Sequence, residues 1–355
     1  MNYLLRKALG GAYVTEAQAV EATVIVVVYH TGPALFESLR LARSHARVGH
    51  VVVVDNGSTP EDAARLRALA ESDDRLTLLQ GHGNIGFARG ANLGASAARG
   101  KWLVFLNPDA FLTPDCVGEL IRAGEQSRRP CVVGARVLNH DGTEQRGARR
   151  GEVSPVTTLL TLTRLTALPA LRKYEIHWED KPAPDRPSEV PTISGACFCI
   201  SREDFLAMGG FDRGYFLHVE DVDLCWRVRR QGGAVLFQPT AEVVHLGHTS
   251  LEHPVRVEYF KGLGLARYFR KRARTVPDKV VSSLLGPMIV AAAVARPMLR
   301  ALVTRQGRKT LGRKTLGRHD RVSQRDFDAA LALAEQPRET ASEAAALIRA
   351  ATDAA

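Results

Sequence analysis

Residues 23–29 read TVIVVVY and residues 51–55 read VVVVD. Neither run alternates polar with apolar, so each reads as a strand covered on both faces. Residues 33–46, between them, have a helical pattern. Outward along the chain the alternation continues, with a helix over 60–70, a strand over 76–79, a helix over 88–98 and a fourth strand over 102–106 (WLVFL). Strands alternating with helices predict an α/β fold, a Rossmann-like, mostly parallel sheet flanked by helices. Ligands of such sheets sit beyond the carboxyl ends of the strands. The residues to weigh are therefore Tyr29-His30-Thr31, Asp55-Asn56-Gly57-Ser58, Gly83-Asn84 and Asn107-Pro108-Asp109.

The second half of the chain changes style. Residues 151–191 show little periodicity and several prolines, which reads as a long loop over a site. Residues 192–201 (TISGACFCIS) are strand-like. Residues 222–231 read as a short helix closed by Gly232-Gly233, and 234–238 and 242–245 as final strands.

Composition narrows the class. The chain has 355 residues, 45% hydrophobic and 24% charged, with a net charge of +10. That is a globular composition with length for a large core. Five cysteines, none in a CxxC pair, are too few for a disulfide scaffold and point to core packing in a reducing compartment. Arg6 and Lys7 interrupt the first apolar stretch, so no signal peptide is expected. No uncharged apolar run approaches about 20 residues. The nearest, 280–295, contains Ser282, Ser283 and Pro287, and no membrane span is expected there.

The charge is concentrated. Residues 261–321 hold sixteen Lys/Arg and two acids, a net of +14, which leaves −4 for the rest. Apolar residues bracketed by Lys and Arg favour a segment lying on an anionic membrane face. A solvated basic helix, or a nucleic-acid contact, is the competing reading. GRKTLGRKTLGR (307–318) is a tandem repeat, and 326–354 is alanine-rich and helical in pattern, interrupted near Pro337.

Several polar groups are placed for chemistry. Asp55 ends a buried strand in a turn, where a carboxylate can accept hydrogen bonds from a base or ribose; an Asx-turn is the plainer alternative. Asp109 follows WLVFL at a strand end, a natural place to hold a hard cation when a substrate diphosphate supplies the other oxygens. Glu220, Asp221 and Asp223 crowd the start of a helix, whose dipole would keep Asp221 ionised and suited to act as a base. His245 and His248 follow the last strand and are candidate metal ligands. GHGNIGFARGANLG (81–94) matches G-x-G-x-x-G in letters, but it follows the third strand rather than the first, so a nicotinamide site is not expected.

Six segments in order, VVVVDNGS, GNIGFARGANLG, FLNPDA, SGACFCISRE, GGFDRGYFLHVEDVDLCWRVRRQG and VVHLGH, together resemble the family 2 glycosyltransferases of the nucleotide-diphospho-sugar (GT-A) fold. The similarity is to their rhamnosyltransferase-like branch, over about residues 23–250. The resemblance implies a catalytic domain over 20–260; it does not cover the basic, partly apolar helical region over 261–355, whose charge and apolar residues lead to the expectation that it associates with a membrane. It implies that Asp55 contacts the donor base or ribose, and that Asn84, Arg89 and Asn92 lie in the nucleotide and diphosphate region. It places Asp109 on Mg²⁺ or Mn²⁺, with Asn107 standing where many relatives have Asp and His245 as a late metal ligand. Asp221 would be the general base, Glu220 its support, and Gly195-Ala196 would approach substrates through backbone.

The implied reaction is inverting transfer from dTDP-rhamnose or a UDP-hexose to a glycan or polyprenyl-diphosphate-linked acceptor. It would occur in the cytoplasm, peripherally on the inner membrane face and without a nucleic-acid partner. The processive Gln-x-x-Arg-Trp element is absent, so one or a few sugars are transferred. A non-catalytic GT-A module that binds a sugar nucleotide or scaffolds a complex is the alternative.

Overall fold

A computed structural model of the chain describes residues 20–162, 165–247, 249, 252–310 and 322–336. All seven residues of β1 (Ala22–Val28) are buried, which is why its sequence does not alternate. Val24, Val26 and Val28 enter one apolar cluster with Leu35 and Leu39 of α1 (Pro33–Ser44). Ile25 and Val27 enter the opposite cluster, with Ala88, Ala91 and Ala95. β2 (Val48–Asp55), α2 (Pro60–Ser72), β3 (Leu76–Leu79), α3 (Phe87–Ala97) and β4 (Trp102–Leu106) follow as the sequence predicts.

Three elements of the first half have no counterpart in the sequence reading. β5 (Ala110–Leu112), α4 (Cys116–Glu125) and β6 (Cys131–Leu138) complete the first half. β7 (Arg149–Arg150) and α5 (Pro155–Leu162) open the proline-rich stretch, which also carries short 3-10 turns at Leu165–Ala167 and Pro169–Tyr174 and ends in β8 (Ser188–Glu189). The segment expected as one strand over 192–201 is two, β9 (Thr192–Ile193) and β10 (Cys197–Ser201), parted at Gly195. α6 (Arg202–Ala207) and α7 (Glu220–Arg230) precede β11 (Ala234–His245), which merges the two expected final strands across a register break between Gln238 and Glu242. α6, with β7, α5 and β8 in the stretch expected as a loop, are further elements of the second half without a counterpart in the sequence reading.

The main sheet runs β3-β2-β1-β4-β10-β6-β11-β5, with β8 pairing β11. β1 is parallel to β2 and β4, β2 to β3, and β6 to β11, whereas β10 runs antiparallel between β4 and β6. The sheet is thus mixed α/β and mostly parallel. All five cysteines are buried and none forms a disulfide; burial pushes the Cys131 thiol up to about 11 and that of Cys225 to about 12, so these two are inert packing groups.

The loop before α7 is fixed to the core. Phe211 packs at ring-centroid distances of 5.2 Å from Phe105 and 5.4 Å from Phe205. Asn92 of α3 accepts from the Phe211 N–H and donates to its carbonyl, both at 2.8 Å. Arg227 of α7 donates to the carbonyls of Met208 and Gly210 at 3.0 and 2.7 Å. Gly86, at φ +82°, lets α3 start against the same loop; a Cβ there would lie 2.5 Å from the Phe216 carbonyl oxygen, too close for any other residue.

Two helices follow the sheet. α8 (Pro254–Arg272) crosses position 260 without a break and buries Tyr268 and Phe269 in the second cluster. α9 (Val276–Thr310) continues through Pro287 and Pro297. Its residues Val276–Leu299 are long and apolar enough to cross a membrane by length and composition, with mean hydropathy 1.6. The uncharged run is still only residues 280–295, between Lys279 and Arg296; the difference from the sequence reading is that Ser282, Ser283 and Pro287 lie inside one continuous helix. α10 (Gln324–Glu335) starts at a Ser323–Asp326 capping box. His248, the repeat beyond residue 310 and the alanine-rich tail beyond 336 lie outside the described residues.

Phe211→Ala is expected to cost about 3–5 kcal/mol, the range for a buried aromatic truncated to alanine. Urea unfolding checks this: the midpoint should fall clearly, and an unchanged midpoint would remove the ring cluster as the anchor of the loop.

Candidate active site

β4 ends at Leu106, and Asn107 turns the chain so that Asp109 lies beside His245 at the end of β11. The Asp109 Oδ1 and His245 Nε2 are 3.1 Å apart. Asp109 Oδ2 accepts from the Thr249 hydroxyl at 2.8 Å. Burial works to raise the Asp109 carboxyl, but the charge and hydrogen bond of His245, joined by Thr249, outweigh it and hold the group below the ordinary carboxylate range.

Gln145 decides the tautomer of His245. Its amide nitrogen, Nε2, donates to the His245 carbonyl at 3.1 Å and to the Asn139 side-chain oxygen at 3.2 Å. Its oxygen therefore faces His245 Nδ1, at 2.7 Å, and must accept that proton. In the neutral ring Nε2 then carries a lone pair. It accepts from Asn107 Nδ2 at 3.1 Å while facing the Asp109 carboxylate. Two acceptors in contact repel. An imidazolium, or a cation between Nε2 and Oδ1, relieves that repulsion.

The second group gathers on α7. Val219, at φ 74°, bends the chain so that Glu220 and Asp221 form the first turn. Asp221 Oδ2 accepts from the Gly195 N–H at 3.1 Å and pairs with Arg150 of β7. Arg150 also donates to the Ile193 carbonyl at 2.8 Å. Asp223 pairs with Arg227 at 2.8 Å and with Lys271 of α8 at 2.7 Å. Glu220 is buried and its Oε2 has no hydrogen-bond partner. Burial first, and then the Asp221 charge, raise its carboxyl above the ordinary glutamate value.

Backbone joins the two groups. The Asn107 N–H donates to the Ala196 carbonyl at 2.8 Å, and the neighbouring Gly195 holds Asp221. Asp109, Asn107, His245, Gly195, Ala196, Asp221 and Glu220 are therefore one connected constellation. The other expected residues are placed differently. Asp55 accepts from the Gly57 N–H, the Ser58 hydroxyl and Gln80 Nε2 at 2.9–3.0 Å, so its carboxylate ends the strand as an Asx-turn. Asn84 Oδ1 accepts from the Gly86 N–H at 3.0 Å. Arg89 is exposed and donates to the Arg213 carbonyl at 3.1 Å. Asn92 has both polar atoms on the Phe211 backbone.

Three partners were not anticipated: Arg150, Gln145 and Thr249. The arginine doublet 149–150 is visible in the sequence, but nothing local ties it to Asp221. A cavity of about 380 Å³ lined by Tyr29, His30, Glu252, His253 and Arg256 opens at the carboxyl end of β1. Neither Asp109 nor Asp221 lines it. A larger one of about 590 Å³, lined by Val20, Arg99, Gly100, Lys101, Arg202, Glu203 and Leu206, lies at the amino ends of β1 and β4, away from the strand ends where such sheets bind ligands.

Comparison with known proteins bears on the family and the fold. Residues 23–208, more than half of the chain, match the family model described as Glycosyl transferase family 2. An N-acetylglucosaminyl-diphospho-decaprenol L-rhamnosyltransferase of Mycobacterium tuberculosis is 28% identical over 249 residues, covering 62% of this chain and 75% of that one. Rhamnosyltransferase WbbL of Escherichia coli K12 is 24% identical over 223 residues, 60% of this chain and 78% of its own. A crystal structure of GalNAc-T7 with UDP, GalNAc and Mn2+ superposes with a TM-score of 0.50 at 15% identity, over 72% of this chain and 51% of that one, a likeness of fold. With rhamnosyltransferases among its relatives and the family model spanning β1 to the end of α6, the chain has the GT-A fold and belongs to glycosyl transferase family 2, in its rhamnosyltransferase-like branch.

Proposed function

We propose that the chain is a divalent-metal-dependent, inverting glycosyltransferase. It moves rhamnose or a hexose from dTDP-rhamnose or a UDP-hexose to a growing glycan on a polyprenyl-diphosphate-linked acceptor, at the inner face of the cell membrane. The observation that carries this reading is the Asp109–His245 pair, whose ligand atoms face each other 3.1 Å apart with the tautomer set by Gln145. Two ligands at right angles, each about 2.1 Å from Mg²⁺, are about 3 Å apart, so this pair fits two neighbouring coordination positions. Among the described residues no group of three or more His, Cys, Asp or Glu side chains is suited to a metal. Asp109 and His245 would hold the cation, and a bound donor diphosphate would supply further oxygens, the usual pattern for Mg²⁺. When bound, the cation neutralises charge growing on the leaving diphosphate.

Asp221 takes the proton of an acceptor hydroxyl. The freed oxygen forms its bond to the anomeric carbon from the face opposite the diphosphate. The bond from that carbon to the diphosphate oxygen breaks, the electron pair leaves with the diphosphate, and the anomeric configuration inverts. Arg150 and the Gly195 N–H orient Asp221, and a protonated Glu220 leaves the negative charge on its neighbour. Asp55 serves the base or ribose, with Asn84 and Arg89 near the diphosphate, while Asn92 acts through the loop it holds. Gly195 and Ala196 approach the substrates through backbone. The acceptor class is carried over from the mycobacterial relative, whose name specifies a diphospho-decaprenol.

Incubation with Mn²⁺ and a panel of sugar nucleotides should give sugar transfer. Asp221→Asn should lower kcat by about 10²–10⁴-fold, the share of a general base, with donor-induced thermal shift retained. Full activity in that variant would overturn the assignment. Stability should also depend on pH through Glu220. Its folded-state value is raised, so its contribution is complete below the unfolded value and is lost as pH rises through the raised one. Thermal melts across that range should show Glu220→Gln gaining on the wild type as pH increases; parallel curves would mean Glu220 does not titrate there.

A further inference from the structure

Two segments far apart in sequence expose apolar side chains, and their first residues meet at Arg272. On α9, Val280, Val281, Leu284, Met288, Met298 and Leu299 are 47–67% exposed. Around α5 and the 3-10 turns after it, Val156, Leu159, Leu165 and Leu168 are 44–62% exposed. Arg272, at the end of α8, joins the two. It donates to the Val153 carbonyl at 2.6 Å and pairs with Glu152 at 2.5 Å, just before α5 begins, while α9 begins at Val276 just after it.

The outer face of α9 is what a solvated helix should not present. Its inner face packs on α8. A Cβ on Gly262 would lie 3.0 Å from Val290 Cα and 3.2 Å from Ala293 Cβ, and one on Gly286 would lie 3.4 Å from Ala266 Cβ. A helix that uses one apolar face for packing normally turns a polar face outward. Here the outer face is apolar too. The surroundings are basic: Arg270, Arg274 and Lys279, against one acid, Asp278, flank one end of the apolar stretch, where Lys271 and Arg272 are already paired with Asp212, Asp223 and Glu152, and Arg172 and Lys173 close the second segment.

We propose that α9 and the 155–174 segment form one docking surface for an anionic phospholipid bilayer, with α9 lying along the membrane rather than across it. The proposal rests on the reading above that the acceptor is membrane-borne. Charge chooses the occupant. A second copy of this chain would bring two strongly basic segments together, which repel, whereas acidic headgroups attract them. Packing chooses the orientation. α8 is held to the catalytic body by buried Tyr268 and Phe269 and by Arg267 and Lys271, 2.8 and 2.9 Å from Asp212. Crossing the bilayer would strip α9 from α8 at the Gly262 contact. The docked face adjoins β7, whose Arg150 holds Asp221, so a lipid-linked acceptor arrives at the proposed base from the membrane side.

The test uses the full chain and co-sedimentation with phosphatidylcholine vesicles, with and without phosphatidylglycerol. Binding should require phosphatidylglycerol, weaken with salt, and be released by alkaline carbonate. The double variants Leu284→Asp/Met288→Asp and Leu159→Asp/Leu168→Asp should each reduce vesicle binding about tenfold or more, since each removes the burial of two large apolar side chains. Their circular dichroism and donor-induced thermal shift should match the wild type. Loss in the α9 pair alone would overturn the shared surface. Equal binding to neutral vesicles, carbonate resistance, or dimers in place of vesicle binding would overturn the proposal. Vesicle binding with no sugar transfer to any acceptor would keep the docking surface and remove the proposed function, so the two failures are separable.

Discussion

The arrangement at the strand ends depends on one imposed contact between two acceptors. Gln145 is locked by the His245 carbonyl and Asn139, and so takes the proton on His245 Nδ1. The neutral ring then turns a lone pair toward the Asp109 carboxylate. β4, β5 and β11 bring those atoms together through sheet pairing, since His245 registers with Ala110. Rigid strands therefore hold two groups that share one positive charge, the imidazolium proton or, in the proposed reaction, a cation.

The same logic explains how three acids tolerate the first turn of α7. Each is compensated by a different physical means. Asp223 is neutralised by Arg227 and Lys271, Asp221 is held by Arg150 and the Gly195 N–H, and Glu220 has burial and the nearby Asp221 charge acting to keep its proton. The negative charge is thereby concentrated on Asp221, the member that reaches toward β4 through Gly195 and Ala196. The loop from 208 to 216 is fixed by Asn92, Arg227 and the phenylalanine cluster, so this turn is placed by the core rather than by the surface.

Much of this was legible in the residues. The unbroken apolar runs at β1, β2 and β4 announced a doubly covered parallel sheet, and the polar residues after them marked its ligand edge. The acids of α7 and His245 stood out because charge clusters and strand-end histidines require explanation. Other parts were silent for physical reasons. β5 is only three residues long, and β10 inserts antiparallel, which no local pattern encodes, whereas β6, eight residues between Pro130 and the Asn139–Gly142 turn, carries a readable signal. Gln145 and Arg150 act on residues 100 and 71 positions away, so only the fold reveals them. Asp55 and Asn84 illustrate the reverse: turn-forming residues that suggest ligand contact also satisfy their own backbone. The length of α9 was underread because prolines and serines are tolerated inside a helix packed against a neighbour.

The central claim is that Asp109 and His245 together hold a divalent ion alongside a nucleoside diphosphate. Electron paramagnetic resonance of Mn²⁺ titrated into the full chain with a nucleoside diphosphate tests it directly. The account predicts protein-bound Mn²⁺ that is lost in Asp109→Asn and weakened in Gln145→Leu, with folding intact by circular dichroism. Mn²⁺ binding that is unchanged in Asp109→Asn would contradict it.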